Sequence, residues 1–231
     1  MTVVDAYRKF RIHQGLQLHQ LRVAAVAKYV CDRFSSGGVS ASDGKELVDA
    51  ETVITACLFH DMGNIIKSDL TRFPELCEPE GVEHWQQVKK EFLETYGDNE
   101  HDATSAIARE IGLSQKAIYL IDSIGFGKME SIVASDSYEL KVVEYGDSRV
   151  GPYEVLSIQE RYAEARKRYR VRKDNAGGTK GVIAHEDRFK RLAELGAELE
   201  QQLMAVSDFK PEDITDAAIA PAVGELKNYK V

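Results

Sequence analysis

The sequence predicts an all-α protein, and two observations carry that prediction. Apolar residues recur three and four apart along most of the chain, and strict alternation never persists for more than a few residues. The composition agrees: 43% hydrophobic and 29% charged residues in a chain of 231, with only 5 Pro and 17 Gly, exclude a largely disordered or collagen-like protein and allow a sizeable core.

The first clear stripe runs from Leu18 to Phe34, with Leu18, Leu21, Ala25 and Tyr29 beside Val23, Val26 and Val30. SSGGVSASDG, residues 35–44, is a loop by composition. Either Ser42 or Asp43 can cap a second helix through Val48, Val53, Ile54, Cys57 and Leu58, whose apolar run stops near His60 to Gly63. Pro74 and Pro79 disfavour a long helix over residues 68–83. Val82, Trp85, Val88, Phe92 and Leu93 define a third helix ending at Tyr96-Gly97. Shorter helices follow Asn99, as far as Ile111-Gly112, and Ser114, to near Gly125. Ser137 to Arg149 reads as a further helix with Leu140, Val143 and Val150 inward, closed by Gly151-Pro152. Helices near 157–172 and 185–207 flank the Gly-rich DNAGGTKG of residues 174–181, which lacks the spacing of a phosphate-binding P-loop. The expected organisation is a binding or catalytic core over residues 1–152 and a helical extension over 153–231.

The formal charge of −8 disfavours general affinity for nucleic acid or anionic membrane. That charge is uneven. Residues 161–191 hold eleven Lys or Arg and four Asp or Glu, a net of +7, so the remainder carries −15. Cys31, Cys57 and Cys77 are odd in number and lack CxxC spacing, which suits neither a disulfide framework nor a zinc knuckle. MTVVDAYRKFRIHQ has no apolar core of the signal-peptide kind, and no apolar run approaches a membrane span. The expectation is a soluble, cytoplasmic protein with no membrane partner; homo-oligomerisation is left open.

Helical phase points four polar side chains inward. His19 lies in line with Val23, Val26 and Val30; His60 follows Val53 and Cys57, with Asp61 next to it; Asp147 follows Leu140 and Val143. Burying two carboxylates costs several kcal/mol unless something compensates them. A divalent metal would compensate both. Imidazole nitrogen and carboxylate oxygen suit Mn, Fe, Ni, Co, Mg or Zn, and the lack of thiolate argues against structural zinc. Taken singly, each residue has a plainer reading: an inward histidine satisfied in a core, or an Asp61 that merely sits in the turn after a helix.

LQLHQLRVAAVAKYV (16–30), ACLFHDMGN (56–64) and KVVEYGDSRVG (141–151) together resemble the HD-domain superfamily of metal-dependent phosphohydrolases, over about residues 5–152. The resemblance implies a five-helix bundle core, a divalent metal on His19, His60, Asp61 and Asp147, with Asp61 also serving catalysis, and hydrolysis of a phosphate ester, often a nucleotide. HDATSAIAREIGL (101–113) resembles the helix that brings a further histidine, His101, to two-metal members; residues 122–128 offer no companion histidine, so His101 is expected as a weak ligand of a second metal, as a general acid or base near the substrate, or as a plain helix-start residue. Some nucleotidase branches place a carboxylate where Asn64 stands here, and Asn can hold water or phosphate but cannot take a proton.

Phosphate handling needs cations. Arg22, one turn from His19, is the expected phosphate or transition-state clamp, unless it forms an ion pair with an acid. Lys67, Lys128 and Arg149 are further candidates for binding a small phosphorylated substrate. The basic tract 161–173 is read as a solvated helix face, with substrate contact and, last, nucleic-acid binding as the alternatives. A second class of function also fits, namely a non-catalytic nucleotide-binding sensor or scaffold that keeps its metal site.

Overall fold

The computed structural model describes the backbone of residues 1–34, 48–174 and 179–231, and no strand occurs among them. The helices are α1 (Val3–Lys9), α2 (Gln14–Phe34), α3 (Ala50–Phe59), α4 (Val82–Tyr96), α5 (Glu100–Ile111), α6 (Gln115–Asp122), α7 (Met129–Val133), α8 (Tyr138–Ser148), α9 (Ile158–Asp174), α10 (Thr179–Met204) and α11 (Asp216–Leu226).

Local chemistry sets many of the boundaries. Asn99, Ser114 and Ser137 cap α5, α6 and α8 as expected, each side chain accepting a backbone N–H of the first turn. Gly112, in the left-handed region at φ 90°, ends α5. The start of α3 differs from expectation. Its cap is Asp49, whose Oδ1 accepts the Thr52 N–H at 3.1 Å, and Val48 precedes the helix. The backbone N–H of Asp49 donates to Glu139 at 3.0 Å, so a distant helix helps set this boundary. Ser42 and Asp43 lie outside the described residues. α1, α7 and α11 were not expected.

α2 is the central rod, packed by α3, α8 and α11. Ala24, Ala25 and Ala27 are fully buried along it, which lets neighbours approach closely. A Cβ at Gly146 would stand 3.0 Å from the Val23 carbonyl oxygen, so α8 meets α2 at a glycine. The next residue is Asp147. This contact therefore brings Asp147 to the stretch of α2 that carries His19.

The buried residues form one continuous cluster from Val3 to Leu226. α10 packs on α7, α8 and α9, and α11 lies on α2. Among the described residues, no helix is long and apolar enough to cross a membrane.

Candidate metal centre

Three helices deliver the site. His19 comes from the N-terminal third of α2, His60 is the C-terminal cap of α3 with Asp61 in the turn beyond it, and Asp147 lies near the end of α8. His19 Nε2 stands 3.1 Å from Asp147 Oδ1 and 3.8 Å from Asp61 Oδ2. His60 Nε2 stands 3.6 Å from Asp147 Oδ1 and 3.7 Å from Asp61 Oδ2. The donor atoms of His19, His60 and Asp147 all fall within 4.8 Å of one another, a grouping able to hold a metal ion. Donors about 2.0–2.2 Å from a shared divalent cation have separations of this order.

His60 supplies the most specific indication. Its Nδ1 lies 2.8 Å from the Cys57 carbonyl oxygen, which can only accept, so Nδ1 carries the proton. In the neutral ring Nε2 then holds a lone pair, directed at the cluster. That Nε2 is buried without a hydrogen-bond partner. A buried polar atom left unsatisfied costs about 1–3 kcal/mol, and a cation would complete it. The residues present fit a divalent metal.

The electrostatics agree. Burial works against a charged His60, but Asp61 and Asp147 outweigh it and raise its pKa to about 9. Burial works equally against ionised Asp147, yet His19 and His60 hold its carboxyl well below the usual carboxylate range. Asp61 is lowered too: burial opposes ionisation, and His60 and Lys67 overcome it. Both carboxylates are thus anionic at neutral pH. A proton on the His60 imidazole occupies the role a metal would take.

The turn holding Asp61 is fastened from two sides. The Asp61 N–H donates to Gln20 Oε1 at 3.2 Å, and Gln20 is fully buried on α2. The Gly63 N–H donates to Thr104 Oγ1 at 2.9 Å, and a Cβ at Gly63 would stand 2.4 Å from the Glu100 carbonyl oxygen. Only glycine lets this turn lie so close to α5. Gln20 and Gly63 escaped the sequence reading, although one adjoins His19 and the other follows the His-Asp pair.

The four groups open onto a cavity of about 850 Å³. Asn64, Lys67, His101 and Lys128 line it. Asn64 is already engaged: its amide donates to Asp61 Oδ2 at 2.5 Å and so orients that carboxylate. Lys67 is 3.1 Å from Glu100, and Lys128 donates to the Asp122 carbonyl. The side chain of His101 is 60% exposed, with its Nε2 3.6 Å from Glu100, so it belongs to the cavity mouth and not to the metal cluster.

Two expected substrate ligands are placed elsewhere. Arg22 does not line the cavity; its Nε meets Asp216 Oδ1 of α11 at 3.1 Å, the ion-pair alternative. Asp216 also accepts the Val155 N–H at 2.9 Å, so the pair fastens α11 to α2. Arg149 is 3% exposed and donates to the carbonyls of Leu156, Pro211 and Ile214 and to Tyr145 Oη. Its position two residues after Asp147 turns it away from the site, and it anchors the C-terminal segment.

Buried groups also surround the site without touching the cluster. His13 lines the cavity, and its Nδ1 accepts the Leu16 N–H at the start of α2; burial lowers its pKa to about 4, leaving it neutral. Glu144, fully buried one turn before Asp147, accepts the Gly125 N–H at 2.7 Å and the Ser148 hydroxyl at 3.3 Å. Burial first, and the charge of Asp147 second, raise its pKa to about 7.

Fold and site together define an all-α protein with a histidine–aspartate cluster suited to a divalent metal. Residues 17–127 match the family model described as the HD domain, which supports membership of the HD-domain superfamily. The match takes in His19, His60 and Asp61; Asp147 lies beyond it and is joined to them by the packing of α8. No curated protein and no solved structure gives a match. HD domains bind divalent metals and are generally metal-dependent hydrolases.

Proposed function

We propose that the chain is a metal-dependent phosphohydrolase acting on a small phosphate ester, a nucleotide or related phosphorylated metabolite. The observation that carries this reading is the convergence of His19, His60, Asp61 and Asp147 on one point at the wall of the cavity, with His60 Nε2 lacking a hydrogen-bond partner. Those four groups would hold the cation. A bound divalent cation supplies Lewis acidity, acidifying water near neutral pH and polarising a phosphoryl oxygen.

The chain's own residues do the remainder. Cys57 fixes the tautomer of His60, Gln20 and Asn64 aim Asp61, and Gly146 lets α8 seat Asp147 beside His19. His101 at the mouth is exposed and can exchange a proton with a leaving group. Lys67 and Lys128 face the same space and attract an anion that the acidic surroundings would otherwise repel.

The test is a panel of nucleotides with generic aryl phosphomonoesters and diesters, assayed with Mn, Ni, Co or Mg. Metal-dependent turnover of at least one substrate is expected. Metal-loaded protein that binds nucleotides and hydrolyses none would establish the second reading, a nucleotide-binding sensor. Asn64 favours that second reading, because its amide occupies Asp61 and cannot accept a proton.

A further inference from the structure

Arg22, the expected phosphate clamp, lies outside the cavity, and the arginines that do line it come from the C-terminal helices and the segment before α4. Arg161 opens the basic tract, one turn after Ile158 and one before Ala165, and both of those are buried. It therefore lies on the inward face of α9 and not on a solvated one. Its side chain is 7% exposed and lines the same cavity as His60 and Asp147. Its Nε is buried with no hydrogen-bond partner. Nη1 reaches Glu164 at 3.4 Å, a long contact for a charge-assisted bond. The guanidinium carbon stands 5.5 Å from the ring centre of Phe126, which also lines the cavity.

A buried guanidinium retains its charge, and burying it without full hydrogen bonding is costly. That cost is offset when an anion completes the donor set. Arg22 pairs through Nε with Asp216 and Arg149 donates to the C-terminal carbonyls, and neither lines the cavity, so neither competes for the role. Arg188 of α10 lines the cavity as well, adding charge of the same sign. An acidic core with two carboxylates at its site would otherwise repel a phosphate.

We propose that Arg161 is the phosphate-recognition residue of the cavity, its guanidinium holding the anionic group of the ligand against Phe126. The choice of phosphate as the anion rests on the phosphohydrolase reading; the presence of an anion subsite rests on Arg161 itself.

The experiment uses the full chain, 15N-labelled and treated with chelator, titrated with inorganic phosphate. The Arg161 Nε–H resonance, assigned by its disappearance in Arg161→Lys, is expected to shift, while those of Arg22 and Arg149 stay in place. By calorimetry Arg161→Lys should weaken phosphate binding by about tenfold, because one point charge replaces a planar fork, and Arg161→Gln should weaken it further. Zinc affinity should be unchanged in both. An unmoved Arg161 resonance, no phosphate binding by the parent protein, or equal binding by both variants would overturn the proposal. Should Arg161→Gln fail to fold, the resonance of the parent protein decides.

The two readings fail separately. Phosphate binding through Arg161 with no ester hydrolysed would sink the phosphohydrolase reading alone. Hydrolysis with KM unaltered in Arg161→Gln would sink the Arg161 proposal alone.

Discussion

His60 donates from Nδ1 to the carbonyl oxygen of Cys57, 2.8 Å away on the preceding turn of α3. This one bond decides which nitrogen faces Asp61 and Asp147, and so converts a buried histidine into a preformed ligand. Metal added to the parent protein should therefore raise its melting temperature, by about 2.7 kcal/mol of stability at a hundredfold excess over Kd. His60→Ala should abolish that rise, as read by thermal denaturation with and without Mn or Zn. An undiminished rise would place the metal elsewhere.

Glu144 gives the chelator-treated protein a defined pH dependence. Its folded pKa of about 7 lies above the ordinary 4.5, so between those values the folded state holds a proton that the unfolded state has released. Stability contributed by this group therefore falls as pH rises from about 4.5 to about 7, and the penalty stays constant above that. Glu144→Gln removes the penalty. The variant should equal the parent near pH 4 and exceed it by on the order of 3 kcal/mol at pH 8. Urea denaturation at a series of pH values checks this; a pH-independent difference would contradict it.

Gly63→Ala should damage both stability and metal binding. The added methyl would stand 2.4 Å from the Glu100 carbonyl oxygen and 2.9 Å from the Thr104 nitrogen, atoms of the α5 backbone that cannot swing aside. Overpacking of this kind costs about 1–3 kcal/mol. The turn that carries Asp61 must move, so calorimetry should show weaker metal affinity with His60 intact. Loss of stability with unchanged affinity would mean that the turn does not position Asp61.

Asp216→Asn tests the reassignment of Arg22. The pair is partly exposed, with side-chain exposures of 16% and 44%, so its loss should cost no more than about 1 kcal/mol. Metal affinity and phosphate binding should be unchanged, since neither residue lines the cavity. A fall in phosphate affinity would restore Arg22 to the site.

Much of this architecture is legible in the sequence because it is written in local periodicity. The inward phase of His19, His60 and Asp147 follows from neighbours three, four and seven residues away, and Asn99, Ser114 and Ser137 cap helices through bonds within a single turn. Contacts across the chain are not legible in this way. Arg22 meets an acid in α11, a helix that Pro221 in its interior and Gly224 near its end conceal. Arg149 is claimed by carbonyls beyond residue 155 that no spacing announces. Arg161 could have been found, since Ile158 and Ala165 share its face, but the surrounding run of Arg and Lys suggests a solvated helix.

The most direct test of the central claim is parallel measurement of bound metal and phosphate-ester hydrolysis in the parent protein and in His19→Ala, His60→Ala, Asp61→Ala and Asp147→Ala. The account predicts a metal-loaded, active parent and a joint loss of metal and turnover in the His60 and Asp61 variants, with the other two impaired in the same direction. Hydrolysis that survives the loss of His60 or Asp61 would contradict it.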